Sequence, residues 1–277
     1  MAYSNVPIGT SNPGCIVILV DQSWSMSGSF GDGTKAEQAT QAVNHVIEEI
    51  VLACRSGDTI RDRCHVSVIG YGASVSCVVD GMISEVASAL INVKKVKKSI
   101  PDGAGGVVEI DVEMPIWLES EANNGTPMDE AFERAARIVE DWISDKPGSF
   151  PPVVINITDG GASHPDLTAD AARKIMNFHT TDGNAVVFNF HIANSGNKAA
   201  LSHNTNQFTD DSLAEFLFEI SSTLPQEFFK SAEDAGFSPE QGARCFGYNA
   251  DETLMIQLLQ FGSLDVTRVR ALPLLPD

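Results

Sequence analysis

Apolar residues along this chain fall into two rhythms that alternate. Short runs rich in β-branched residues, Ile16–Val20, Val153–Ile157 and the segment Asn184–Ile192, are too short to be amphipathic helices and read as strands buried on both faces. Between them lie stripes of helical period. One places Ala36, Ala39, Val43, Val46, Ile47, Ile50, Val51 and Cys54 on a helix over Lys35–Cys54, with Thr34 at the N-cap and Gly57 as a stop. A second places Met128, Ala131, Phe132, Ala135, Ile138, Val139 and Trp142 on a helix over Met128–Ile143. Further helices are expected over Thr168–Thr180, capped by Thr168 or Asp166, and over Ser212–Ser222. Arg63–Tyr71 alternates and then turns apolar, the second strand of a hairpin or sheet pair begun near Ile60. Strands separated by helices are too far apart for hairpins, so the pattern predicts an α/β fold with a doubly wound, mostly parallel central sheet flanked by helices.

Two stretches depart from this rhythm. From Gly72 to Asn123 the pattern gives a short helix over Met82–Ile91, a turn at Asp102–Gly106 and one or two extended pieces over Val107–Leu118. Lys94, Lys95, Lys97 and Lys98 form the concentrated positive charge of the chain, and such a run reads first as a solvated face. After Pro225, Glu227–Ala235 and Asp251–Phe261 suggest short helices, and Ala271–Asp277 is proline-rich and extended.

Composition narrows the function classes. The chain has 277 residues, 43% of them hydrophobic, enough for one large or two small cores. Its 18 basic against 37 acidic residues give a net charge of −19, which argues against nucleic acid or an anionic membrane surface as the main partner. Met1–Pro13 lacks a basic segment followed by a long apolar one, and no apolar run approaches the roughly 20 residues that cross a bilayer. The five cysteines, Cys15, Cys54, Cys64, Cys77 and Cys245, have no C-x-x-C spacing and read as buried thiols of a reducing cytosol. A cytoplasmic location is the expectation.

The candidate chemistry lies where the strands stop. The first ends in Asp21-Gln22-Ser23-Trp24-Ser25, delivering a carboxylate and two hydroxyls to the carboxyl edge of the sheet, where open α/β folds place ligands. Those oxygens suit a hard cation such as Mg2+; the same serines could equally cap the following turn. Asn124-Gly125-Thr126-Pro127 sets a threonine before a helix, and the Val153 strand ends in Thr158-Asp159-Gly160-Gly161.

D-x-S-x-S, a later G-T-P turn and a strand ending T-D-G, in this order, resemble the metal-ion-dependent adhesion site of von Willebrand factor A-type domains. The resemblance spans Gly14–Leu224. Carried over residue by residue, it implies metal residues at Asp21, Ser23, Ser25, Thr126 and Asp159. It divides the chain into an extension (1–13), the A-type domain (14–224) with an insertion (72–123) expected to pack beside the metal face, and a helical appendage (225–277) expected to pack back on the domain. It also implies a role. With hydroxyls as direct ligands and the aspartates acting mainly through water, the ion stays electrophilic and accepts an Asp or Glu of a protein partner. Mg2+ is the expected ion, with Mn2+ or Ca2+ not distinguished. D-Q-S-W-S-M-S and N-G-T-P-M further resemble stand-alone bacterial A-type proteins of tellurite-resistance and stress systems, which implies a Ser/Thr kinase, a PP2C-type phosphatase or a stress-complex subunit as partner and places specificity in the insertion.

Two other classes stay in view. A Mg2+-dependent phosphoryl-transfer enzyme of the haloacid-dehalogenase kind also ends its first strand in aspartate, but needs a second carboxylate where this chain has Ser23. Gly28–Gly33 is followed by Thr34-Lys35, which does not complete a phosphate loop. A metal-independent scaffold is the third. Of the histidines, His164 alone is expected on the rim of the site. His65, His179, His191 and His203 lack zinc spacing. Trp24 is expected to pack beneath the loop, and Met26 to plug the core.

Overall fold

A computed structural model of the chain describes residues 8–101, 107–193 and 197–262. The amino-terminal residues 1–7, the expected turn at Asp102–Gly106 and the expected extended end at Ala271–Asp277 lie outside them. In chain order the principal elements are β1 (Gly14–Asp21), α1 (Lys35–Cys54), β2 (Cys64–Tyr71), β3 (Val75–Met82), α2 (Ile83–Ser88), β4 (Asn92–Pro101), β5 (Val107–Ile116) and α3 (Met128–Asp145). They continue with β6 (Val153–Thr158), α4 (Pro165–Asn177), β7 (Val186–His191), β8 (Ala199–Ala200), α5 (Ser212–Glu219), α6 (Phe229–Asp234), β9 (Phe246–Tyr248) and α7 (Glu252–Gly262).

The seven-stranded sheet runs β8-β9-β7-β6-β1-β2-β3. β1 pairs in parallel with β6 on one side and β2 on the other, and β7 and β9 continue the parallel set. β3 and β8 are antiparallel at the two edges. All eight residues of β1 are buried. Ile16, Ile18 and Val20 join a core shared with α1 and α7, while Cys15, Val17 and Leu19 join one shared with α3, α4 and α5. A strand covered on both faces has no need of alternation, which is why its sequence is one apolar run. Burying each such side chain contributes about 1.5–3 kcal/mol. The expected doubly wound, mostly parallel sheet is what forms. The connection from β1 goes outward through β2 and β3, then returns past β1 to β6 and β7. The topology therefore switches between the carboxyl ends of β1 and β6, where such sheets open a ligand crevice.

Helix α1 matches its expected bounds. Thr34 Oγ1 accepts from Glu37 N (3.2 Å) and Glu37 Oε2 accepts from Thr34 N (2.8 Å), a complete capping box. Gly57 sits beyond the helix, in the turn of the Arg55–Ser56/Thr59–Ile60 ribbon, at φ +60°. Several expectations are corrected. The antiparallel partner of β2 is β3, not a strand near Ile60. Helix α4 starts at Pro165 rather than Thr168, because proline loses no bond at the first helical position; Thr168 Oγ1 instead donates to His164 O. The helix expected over Met82–Ile91 is the shorter α2.

Val107–Ile116 is one long strand, and the lysine cluster lies on its partner: β4 and β5 form a separate two-stranded ribbon. Its cross-strand pairs include Lys95 with Glu113, so opposite charges face each other there. The base of the ribbon is tied to the domain by Asn44 of α1, which is buried. Asn44 Nδ2 donates to Leu118 O (2.8 Å), and its Oδ1 accepts from Trp117 N (2.9 Å) and Leu118 N (3.0 Å). Beyond Pro225, where short helices were expected alone, the chain also contributes β9 to the central sheet, and α7 lies against α1. Among the described residues no helix is long and apolar enough to cross a membrane.

Candidate metal centre

Asp21, the last residue of β1, is fully buried and both carboxylate oxygens are engaged. Oδ1 accepts from Ser23 N (2.8 Å) and Oδ2 from Thr158 Oγ1 (2.6 Å). Burial pushes the Asp21 pKa up to about 6, against the hydrogen bonds from Ser23 and Thr158 that favour the carboxylate. Asp21 therefore fixes the loop that follows.

That loop, Trp24–Ser27, is one turn of 3-10 helix. Ser23 stands at its N-cap, yet its hydroxyl makes no capping bond. It lies instead 3.0 Å from Ser25 Oγ, and Ser25 Oγ donates to Asp159 Oδ1 at 2.8 Å. Because Ser25 commits its one proton to Asp159, the proton between the two serines belongs to Ser23. The capping role that the serines could have had is not the one they take. Met26 is fully buried, as expected; Trp24 is 69% exposed, which corrects its expected place beneath the loop.

The third loop is held against the first two by its backbone. Asn123 N donates to Gln22 O (2.6 Å), and Thr126 O accepts from Ser163 N (3.1 Å) and Met128 N (2.8 Å). Thr126 thus sits between the loop after β1 and the loop after β6. Two glycines in these loops take positive φ against close neighbours. Gly125 has φ +89° and a Cβ there would lie 3.1 Å from Gly72 O; Gly160 has φ +105° and a Cβ would lie 2.6 Å from Leu213 Cβ.

All five residues singled out in the sequence are at this one edge of the sheet, with hydrogen bonds joining Ser23, Ser25 and Asp159 directly. The donor set is oxygen alone, the set a hard divalent cation takes. Among the described residues no group of three or more His, Cys, Asp or Glu side chains could hold a metal, so a site rich in imidazole or thiolate is not offered elsewhere. Three hydroxyls and two carboxylates are the donor chemistry that fits a small oxophilic ion.

Three supporting residues escaped the sequence reading. Thr158 bridges Asp21 to Gly160 N (2.9 Å). His191, buried, donates from Nε2 to Asp159 O (3.2 Å), and burial lowers its pKa. Lys35 Nζ lies 3.0 Å from Asp159 Oδ2. Thr158 was visible in T-D-G; nothing local marks the other two, which reach Asp159 only through the tertiary fold. His164 stands beside Asp129, its Nδ1 3.3 Å from Asp129 Oδ2. Four of the five cysteines are buried, Cys77 is partly so, and all five are free thiols.

No protein-family model and no curated protein matches the chain. Among solved structures it is similar to the pilus adhesin SpaC from Lactobacillus rhamnosus GG, at 14% identity over 96% of this chain and 31% of that one, with a TM-score of 0.55. The chain thus spans less than a third of that protein's length. Fainter likenesses are to manganese-loaded TRAP of Plasmodium vivax (14% identity, 92% of this chain and 74% of that one, TM-score 0.44) and to proximal thread matrix protein 1 of the mussel byssus with a zinc-occupied MIDAS motif (11%, 92% and 47%, TM-score 0.46). Sheet order and crossovers define a doubly wound, mostly parallel, Rossmann-like α/β fold, which the likeness to SpaC shares.

Proposed function

We propose that this chain is a protein-interaction module whose grip on its partner runs through a divalent cation held by Asp21, Ser23, Ser25, Thr126 and Asp159. The observation that carries the reading is the Ser23 hydroxyl. It stands at a helix N-cap, forgoes capping, and meets Ser25, whose own hydroxyl donates to Asp159 at the crevice between β1 and β6. Asp21 has both oxygens engaged, so a bound ion would meet mainly neutral hydroxyls and keep its appetite for an outside carboxylate. The partner class is a protein with an exposed Asp or Glu.

Mg2+ is the proposed ion, with Mn2+ and Ca2+ as chemically close substitutes. A cytoplasmic stress or tellurite-resistance setting, with a Ser/Thr kinase, PP2C-type phosphatase or stress-complex subunit as partner, is the narrower form of the proposal and rests on the sequence resemblance alone. Phosphoryl transfer is disfavoured by Ser23, which supplies a hydroxyl where that chemistry needs a carboxylate.

The test is calorimetric titration of Mg2+ and Mn2+ into wild-type protein and Asp159→Ala, followed by capture of partners from native lysate in Mg2+ or in EDTA. Saturable metal binding lost in Asp159→Ala, with capture confined to wild type in Mg2+, supports the reading. Capture that is equal in all four conditions sinks it.

A further inference from the structure

The cation paired with Asp159 is a lysine with no place in the five-residue set. Lys35 opens α1, and its ammonium pairs with Asp159 Oδ2 at 3.0 Å, the two side chains being 7% and 8% exposed. Neither the helix nor solvent explains this position. The amino-terminal end of a helix repels a cation, and the end of α1 is already completed by Thr34 and Glu37. Withdrawing an ammonium from water is costly unless it is paired. Gly28 flanks the residue: Lys35 N donates to Gly28 O (3.0 Å), and a Cβ on Gly28 would lie 3.6 Å from Lys35 Cε. Gly28 therefore borders the far end of the stem, whose charge meets Asp159.

We propose that Lys35 is the resident counter-ion of the metal centre, holding Asp159 in the absence of a divalent ion, weakening the binding of that ion, and adding its own charge to the face that receives the partner's carboxylate. This rests on the metal-site reading above. One Asp159 carboxylate serves both Ser25, through Oδ1, and Lys35, through Oδ2, so an ion that draws on Asp159 meets a positive charge already in place. Two aspartates and one lysine leave the site with a formal charge of −1 before a divalent ion enters and +1 afterwards. Without the lysine, the loaded site would be neutral. Lys35 thus exchanges metal affinity for attraction to an anionic group, and couples the two ligands: the ion is held most firmly when a carboxylate offsets the surplus charge.

The experiment titrates Mn2+ into the full-length chain and reads free ion by electron paramagnetic resonance, for wild type, Lys35→Met, Lys35→Arg and Asp159→Asn, each with and without glutarate as the carboxylate probe. Circular dichroism checks folding, and Lys35→Gln replaces Lys35→Met if the latter fails to fold. Lys35→Met is expected to bind Mn2+ about tenfold more tightly than wild type, and Lys35→Arg to stay within about threefold of it. Glutarate is expected to tighten Mn2+ binding to wild type and Lys35→Arg more than to Lys35→Met. Equal or weaker Mn2+ binding by Lys35→Met, with binding still lost in Asp159→Asn, overturns the role of Lys35 and leaves the metal centre standing. No saturable Mn2+ binding by any of the four proteins overturns the metal-site reading, and this proposal with it.

Discussion

Thr158 Oγ1 donates a 2.6 Å hydrogen bond to Asp21 Oδ2, joining the carboxyl ends of the two parallel strands between which the topology switches. The same oxygen accepts from Gly160 N at 2.9 Å, so one hydroxyl orders both loops of the crevice.

Thr158→Val keeps the shape and the β propensity while deleting both bonds. A buried carboxylate oxygen and a backbone N–H are left without partners, and the unfolding free energy should fall by about 2–3 kcal/mol. Urea denaturation measures it. Thr158→Ser, which restores the hydroxyl, should recover most of the loss; a valine variant within about 0.5 kcal/mol of wild type would show that the junction is held some other way.

Asn44 links the segment before the Thr126 loop to the core of the domain. Its amide satisfies three backbone groups at Trp117 and Leu118, and α1 supplies it from a wholly buried position. Asn44→Ala removes all three bonds at once and should cost about 3 kcal/mol in denaturant unfolding. Because the chain runs from Leu118 to Thr126 without an intervening helix or strand pair, Mn2+ affinity should fall in the same variant under conditions where it remains folded. Unchanged affinity would mean that the Asn123–Gln22 bond alone places Thr126.

The frame of this fold was legible because burial on both faces leaves a strong mark: β1, β6 and β7 are apolar runs, and α1 and α3 carry clear stripes. What escaped lacks that mark. β3 sits at a sheet edge with one face toward solvent and reads Val-Ser-Cys-Val-Val-Asp-Gly-Met, neither run nor clean alternation. β4 carries four lysines whose strand identity comes from pairing with the acidic β5, a relation between segments rather than within one. β9 is three residues long and is a strand only because β7 and β8 flank it. The site divides in the same way. Asp21, Ser23, Ser25, Thr126 and Asp159 sit in local motifs, whereas Lys35 and His191 reach Asp159 across 124 and 32 residues and leave no short-range trace.

His65 gives the stability a pH dependence away from the site. It is largely buried against the Trp142 ring, at 5.5 Å between ring centroids, with Nε2 3.4 Å from Asp80 Oδ1. Burial lowers its pKa below the ordinary value of 6.5, outweighing the pull of Asp80 and Glu85 toward the charged form; Lys146 acts with burial. The folded protein then binds the proton less readily than the unfolded chain. Its stabilising contribution is complete above the unfolded pKa and declines as pH falls through 6.5 toward the folded value. His191, shifted in the same direction, adds to the trend, and Asp21, raised to about 6, acts against it. Unfolding free energies measured at pH 7.5 and 5.5 should differ less in His65→Gln than in wild type; an equal difference would assign the whole dependence to other groups.

Trp24 separates a structural from a binding role most cleanly. It lies between the two serines of the crevice, yet 69% of it is exposed, while its neighbour Met26 fills the core beneath the turn. A large aromatic surface left in water costs free energy that packing could recover, and aromatic side chains of this kind recur at the centres of protein interfaces. Trp24→Ala removes little buried area, so the unfolding free energy should stay within about 0.5 kcal/mol of wild type. Mn2+ binding should be unchanged, because the residue contributes no oxygen to the site. Partner capture in Mg2+ should nevertheless drop by about tenfold or more, the loss typical of an interface anchor. Retention of full capture would place the partner's contacts away from this turn, and a large loss of stability would return Trp24 to the packing role that its sequence position suggested.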